Sequence, residues 1–331
     1  MEIPVSILPV LFFLLFLFLL DSFKLVVQRT LLYAILWGVI SAGIAYLLNN
    51  LILNLSDMTF ESFSRYIAPG TEEVIKSLFV FYLVSRKKAG FLIDAAIYGF
   101  AIGAGFALIE NSLYAHAAAD AGFLVWIIRG FGTALMHGGC TALIALILVG
   151  AKSRNASYTL YTSIAFVSAY LIHGAFNHFY INPLLQTIGI IILLPVIFIL
   201  IFRHNENQLQ SWLEIEFSSE VELLQMIHKG KFSDTRAGEY LASLKTRFAA
   251  ETIFDMYCYI QLYLELSMKA KRNLMLKESG FPPITETDIQ QKLLELAALR
   301  KEIGKTGELT LSPLISMNYR DLWKFNLLKN D

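Results

Sequence analysis

Residues 91–116 read FLIDAAIYGFAIGAGFALIENSLYAH, an apolar run with only two acids, Asp94 near its start and Glu110 far along it. A run of this length covers the ~20 residues that a helix needs to cross a bilayer. A charge inside such a span costs roughly 2.5–3.5 kcal/mol even on lenient insertion scales. Glu110 therefore marks a buried polar site, and other helices have to supply its partners.

Outward from this run, further apolar segments carry ionisable residues of the same kind. The motifs in order are Glu72-Glu73-x-x-Lys76, Phe106-x-x-x-Glu110-Asn111, His137-Gly138 and His173-x-x-x-Asn177-His178. The whole chain fits a membrane setting: 331 residues, 56% hydrophobic and 16% charged, with mean hydropathy +0.56. Soluble domains average about 25% charged. The charge is unevenly spread. Residues 1–202 hold 10 Lys+Arg and 9 Asp+Glu, whereas 203–331 hold 17 and 18. The chain thus reads as an all-α polytopic membrane protein, with a transmembrane domain over 1–202 and a helical cytosolic domain over 203–331. A net charge of zero gives nucleic acid no electrostatic reason to bind. Cys140 lies in an apolar run and Cys258 in the polar part, so no disulfide is expected. The first apolar run has no basic segment ahead of it and is interrupted by Pro4 and Pro9, so it reads as a span, not a cleaved signal.

Seven stretches are long enough to cross: 4–22, 31–54, 71–85, 91–116, 123–150, 158–180 and 184–202. Gly130-Phe131-Gly132 is a candidate break in the fifth. Lys24 and Arg29, then Arg86, Lys87 and Lys88, then Lys152 and Arg154, and finally Arg203 fall on one side. The opposite connections hold Asp57, Glu61 and Arg65, then Asp120, then Asn182-Pro183. The excess of basic residues marks the cytoplasmic side, which puts the N-terminus outside and residues 203–331 in the cytosol. Residues 54–70, with Phe60, Phe63 and Tyr66, read either as an interfacial helix or as an aromatic-rich loop.

Orientation turns the motifs into a location. Glu72 and Glu73 open the third span at its outer end, and Glu110 lies ~9 Å below the outer face at 1.5 Å per residue. His173 falls at a similar depth, with His137 nearer the midplane. Glu72 and Lys76 are four apart, so Lys76 reads as the counter-ion of Glu72 and leaves Glu73 the less committed acid. His173 and Asn177 share one helical face. Gly99, Gly103, Gly105, Gly138 and Gly139 would let the helices approach closely. His116 and His178 read as packing residues, and Asp94 and Arg129 as span-end groups that snorkel or pair.

Two chemistries stay open for this set. A carboxylate taken out of water becomes a usable general base, with a His-Asn pair binding a developing oxyanion. Alternatively, Glu110, His137 and His173 form an open metal site of the kind that holds zinc and water. His-Glu-x-x-His, Gly-x-Ser-x-Gly, Gly-Tyr-x-Asp and a phosphate-binding loop are all absent. A transporter or channel with a buried proton or substrate site is the alternative, though no internal repeat is visible. A receptor or assembly protein with a polar core is the third reading.

The order Glu-Glu-x-x-Lys, Phe-x-x-x-Glu-Asn, a His in the next span, then His-x-x-x-Asn resembles the PrsW family of bacterial intramembrane proteases over roughly residues 60–180. It is more distantly similar to the CAAX-prenyl endopeptidase and bacteriocin-processing group. Lys76 stands where that group has an Arg one position later, and Glu110 stands where it has a His. The resemblance implies cleavage of membrane-tethered regulators of the anti-sigma-factor kind, in the bacterial cytoplasmic membrane. It also implies roles: Glu72 or Glu73 activates water, Glu110 and His137 support or ligate, and His173 with Asn177 binds the oxyanion. Relatives of the PrsW kind are called metalloproteases, and those of the CAAX kind are read as metal-free and glutamate-dependent. From the orientation, substrate and water are expected to enter from outside.

Residues 203–331 read as helices over Tyr240–Ala250, Thr252–Ala270 and Asp288–Gly304, the last capped by Thr285 or Thr287 and preceded by Gly280 and Pro282-Pro283. They carry no catalytic motif and read as a partner-binding module or a plain scaffold.

Overall fold

A computed structural model describes residues 2–117, 122–315 and 319–328; Asp120 and the side chain of His116 lie outside the described set. All regular elements in it are helical. The first are α1 (Glu2–Leu19), α2 (Gln28–Leu55), α3 (Phe60–Tyr66), α4 (Ala68–Ser85) and α5 (Leu92–Ala117). Then come α6 (Phe123–Ile127), α7 (Ala134–Ser153), α8 (Tyr158–His178) and α9 (Pro183–His228). The chain divides into two compact units, Met1–Asn205 and Glu206–Asp331.

In the first unit five helical runs are long and apolar enough to cross a membrane: α2, α5, the continuous run Phe123–Ser153, α8, and Pro183–Asn207 of α9. The other two expected spans differ for separate reasons. The apolar part of α1, Pro4–Leu19, reaches only ~24 Å at 1.5 Å per residue. α4 has the length but carries Glu72, Glu73 and Lys76 within it.

α5 is the buried centre, with every residue from 93 to 107 enclosed. Its glycines explain how. A Cβ on Gly103 would sit 2.2 Å from the His137 carbonyl oxygen, and one on Gly105 would sit 2.2 Å from that of Ile35. α5 thus touches the backbones of α7 and α2 on two faces, as small residues allow in lipid. Asp94, in the first turn of α5, reaches back to accept from the amides of Gly90 and Phe91 at 2.9 Å each, just ahead of the helix. α9 lies at the other extreme: only 11% of its apolar window is buried, as suits a helix facing lipid.

The glycines of the fifth run bulge it without breaking it. Ile128–Thr133 is a π-helical turn that joins α6 to α7. The segment before α4 does form a helix: Thr59 caps α3 by accepting from the Ser62 amide, and Phe63 is buried while Phe60 and Tyr66 face out.

The second unit adds α10 (Arg236–Ser243), α11 (Ala250–Glu278), α12 (Ile289–Leu311) and α13 (Tyr319–Trp323). α11 supplies the largest share of its core, including Met256, Tyr259, Ile260, Tyr263 and Leu266. The expected helix Tyr240–Ala250 stops at Ser243 and tightens into a 3-10 turn over Leu244–Thr246. α11 ends on Gly280 at φ +79, where Gly280 N donates to Lys277 O and Phe281 N to Leu276 O, the paired bonds of a left-handed glycine stop. Asp288, not either threonine, holds the N-cap position of α12, and its carboxylate pairs with Lys292 at 2.7 Å. Gly304, at φ 65 and ψ 177, kinks α12, and the helix resumes as far as Leu311.

Candidate functional site

Four helices bring the ionisable residues together. α4 starts with Pro69 in its first turn and turns Glu73, Lys76 and Ser77 inward, all three fully buried. α7 presents His137, 1% exposed, and α8 presents His173, 2% exposed. The two imidazoles stand perpendicular with centroids 4.7 Å apart. α5 contributes Glu110, whose side chain is 25% exposed and so the most accessible acid of the set.

Lys76 donates to Glu73 Oε1 at 2.6 Å and lies 3.1 Å from His137 Nδ1. Its ammonium also sits 4.8 Å over the Phe106 ring. This reverses the pairing expected from spacing: the counter-ion belongs to Glu73, three residues away, and Glu72 is the less committed acid. The reason is the rotation of α4, which points Glu72 away from Lys76 toward α2 and α8. On α2, Asn49 donates to Glu72 Oε1 at 3.2 Å and accepts from Thr71 Oγ1 at 2.5 Å.

These contacts fix the proton positions on both imidazoles. An ammonium only donates, so His137 accepts at Nδ1 and its Nε2–H donates to Glu110 Oε2 at 2.7 Å. A carboxylate only accepts, so His173 Nδ1–H donates to Glu73 Oε1 at 2.8 Å. The neutral His173 ring then carries its lone pair on Nε2, which faces Glu72 Oε2 at 3.8 Å. Two electron-rich atoms facing each other in a buried site call for a proton, a water or a cation between them.

The donor set fits a cation. Ligand atoms of Glu72, His137 and His173 all lie within 4.8 Å of one another. Two His and one carboxylate, with a position left for water, is the ligand type of hydrolytic zinc sites. The Glu73–His173 bond is the outer carboxylate–histidine contact that orients metal ligands. Glu73 Oε2 is buried and has no hydrogen-bond partner among the described residues. Three carboxylates, Glu72, Glu73 and Glu110, face two fixed positive charges, Lys76 and Arg129. With all three carboxylates ionised and both imidazoles neutral, the set would be one negative charge in excess.

Five of the six residues named from sequence therefore converge: Glu72, Glu73, Glu110, His137 and His173. The donor triad includes Glu72 where the sequence pattern suggested Glu110, because Glu110 is held by Arg129 and His137. Asn177 stands apart. Its amide donates to the Ser64 carbonyl in α3 at 3.0 Å, and among the described residues no hydrogen bond joins it to the Glu/His set. His178 donates to the Gly174 carbonyl and stacks on Tyr180, as a packing residue does. Asn49 and Thr71 were not singled out from sequence as partners. The doublet Asn49-Asn50 inside an apolar span was the available signal.

No curated protein and no solved structure matches the chain. A family model described as PrsW family intramembrane metalloprotease matches residues 27–202, over half of the chain and all of the helices that build this site. That match favours the peptidase over the transporter reading. The chain belongs to the PrsW family of intramembrane metalloproteases, and it is a membrane-embedded peptidase.

Proposed function

We propose that Glu72, His137 and His173 hold a divalent ion, zinc by ligand type, and that the enzyme hydrolyses peptide bonds of single-span, membrane-tethered regulators of the anti-sigma-factor kind. The observation that carries this reading is the 3.8 Å gap between His173 Nε2 and Glu72 Oε2, with His137 completing a donor set within 4.8 Å. A bound ion of this type activates water near neutral pH and polarises the scissile carbonyl.

The remaining chemistry belongs to the chain's own side chains. Glu73 and Lys76 keep His173 in the tautomer that presents Nε2. His137 would coordinate through Nε2 in the tautomer that carries its one ring proton on Nδ1, and Lys76 would then donate to Glu73 alone. Glu110, with Arg129 on its other oxygen, then takes a proton from the attacking water and delivers it to the leaving amine. Phe106, packed on His137 and under the Lys76 ammonium, and Cys140 are both buried and help keep bulk water away from these groups.

In this reading the chain sits in a bacterial cytoplasmic membrane with its N-terminus outside and crosses seven times, with α1 and α4 completing the five longer spans. The basic loops at Lys24 and Arg29, Arg86 to Lys88, Lys152 and Arg154, and Arg203 support that orientation. The unit after Asn205 then lies in the cytosol, available to a regulatory partner, and cleavage falls near the outer face.

The test is cleavage of a model single-span substrate by purified enzyme, with the cut site mapped. Glu72→Gln, His173→Ala and Glu110→Gln each abolish cleavage at normal protein levels, and the cut lies near the substrate's outer membrane border. Survival of cleavage in all three variants contradicts the site; a cut in the cytosolic tail contradicts the orientation.

A further inference from the structure

The π-helical turn Ile128–Thr133 runs directly into α7, the helix that bears His137, and it sends a side chain to Glu110. Arg129 Nη2 donates to Glu110 Oε1 at 3.1 Å, and Arg129 Nε donates to Asn111 Oδ1 at 3.0 Å. The guanidinium also stacks 3.6 Å from the centroid of the Tyr114 ring. Asn111 is 1% exposed and tied in turn to the Ser6 carbonyl in α1 at 2.8 Å. Three contacts along one face of α5 therefore fix the plane of the guanidinium.

The turn explains why Arg129 can reach. Arg129 and His137 are eight residues apart and grip the two oxygens of the same carboxylate. In a straight α-helix eight residues place two side chains about 80° apart around the axis. A π-turn absorbs one residue, which leaves an effective separation of seven and a misalignment of only about 20°. The bulge is held from both sides by glycines. A Cβ on Gly130 would lie 2.2 Å from the Val5 carbonyl oxygen, and one on Gly132 would lie 2.6 Å from Thr187 Oγ1. The sequence Ile-Arg-Gly-Phe-Gly-Thr thus uses two glycines and a π-turn to align one arginine with one histidine.

We propose that Arg129 is a positioning residue for proton transfer, one that locks the Glu110 carboxylate so that Oε2 faces His137. The proposal rests on the reading of Glu110 as the proton-transfer group. It predicts that the guanidinium fork matters as well as the charge, since a lysine offers a single point donor and can neither span Glu110 and Asn111 nor stack flat on Tyr114.

The experiment compares Arg129→Lys, Arg129→Ala and Glu110→Gln as full-length enzyme in detergent. It measures kcat and KM on a single-span substrate, bound metal, and rescue by added methylguanidinium. Arg129→Lys lowers kcat about 10- to 100-fold, with KM and metal content close to wild type. Arg129→Ala lowers kcat further and regains part of it with methylguanidinium. Wild-type kcat in Arg129→Ala overturns the proposal even if Glu110→Gln is inactive. Loss of metal together with activity in Arg129→Lys also overturns it, since that marks a structural role. A fully active Glu110→Gln instead overturns the reading of Glu110 on which the proposal stands.

Discussion

His173 donates from Nδ1 to Glu73 across 2.8 Å, and that bond decides which edge of the imidazole looks into the site. It separates two neighbouring acids that the sequence presents as equivalent. Glu73 is buried, paired with Lys76 and turned to the outer edge of His173; Glu72 faces the inner edge with only a neutral amide, Asn49, on its other oxygen.

Glu73→Gln and Glu72→Gln should therefore differ in kind. Removing an outer carboxylate from a ligating histidine costs typically 10- to 100-fold in metal affinity, so Glu73→Gln binds metal more weakly and still turns over at saturating metal. Glu72→Gln loses a ligand and does not recover. Titration of metal into chelator-stripped protein distinguishes them. A Glu73→Gln variant impaired as severely as Glu72→Gln removes the distinction.

Lys76 is fully enclosed, and its ammonium is the counter-charge of Glu73. Taking away one partner of a buried pair strands the other, at about 3–5 kcal/mol. Lys76→Met should unfold at markedly lower temperature in detergent, and Lys76→Met with Glu73→Gln should recover much of the loss. Wild-type stability of the single variant would show that the pair is solvated.

Gly103 allows α5 to touch α7 at the residue that bears His137. A Cβ there lies 2.2 Å from a backbone oxygen that has nowhere to go. Gly103→Ala should cost about 1–3 kcal/mol and lower cleavage by moving His137 off Glu110. Gly122→Ala, with nothing within 4 Å of its added methyl, serves as the control. Equal melting temperatures for the two variants contradict the packing described.

The second unit carries an exposed ion network whose pH dependence has a definite sign. Desolvation pushes the Glu265 carboxyl up, but hydrogen bonds from Lys269 and Lys292 outweigh it and hold the group below its ordinary 4.5. Hydrogen bonds from Lys269 and Arg272 likewise lower Glu286. A carboxyl depressed in the folded state stabilises above its unfolded value and stops doing so as pH falls through the folded one. At pH 7, hydrogen exchange along α11 should be slightly faster in Glu265→Gln than in wild type, an effect below about 1 kcal/mol. The difference should shrink as pH falls below the ordinary glutamate value and be lost in stronger acid. A difference that persists in acid assigns it to packing.

Much of this architecture was legible because bilayers penalise charge. Glu110, His137 and His173 stood out as costly residues in apolar runs, and the structure brings them together with Glu72 and Glu73. What spacing could not give was rotation. Lys76 is within helical reach of both Glu72 and Glu73, and only the neighbours of α4, namely Asn49 and His173, determine which acid it meets. The π-turn was equally hidden: Gly130 and Gly132 look like a break until the close approaches of Val5 and Thr187 show what they accommodate. Asn177 shares a helical face with His173, but α3 lies against that end of α8 and takes its amide. Of the seven expected spans, length and hydropathy pick out five; α1, with its short apolar run, and α4, with its charged turn, are the two they do not reach.

The most direct test of the central claim is the rate at which purified enzyme cleaves a single-span substrate after its metal is stripped and then restored. The site described here predicts full loss of cleavage on stripping. It predicts recovery with about one divalent ion per chain, and no recovery in Glu72→Gln or His173→Ala. Undiminished cleavage by metal-free wild-type protein would contradict it.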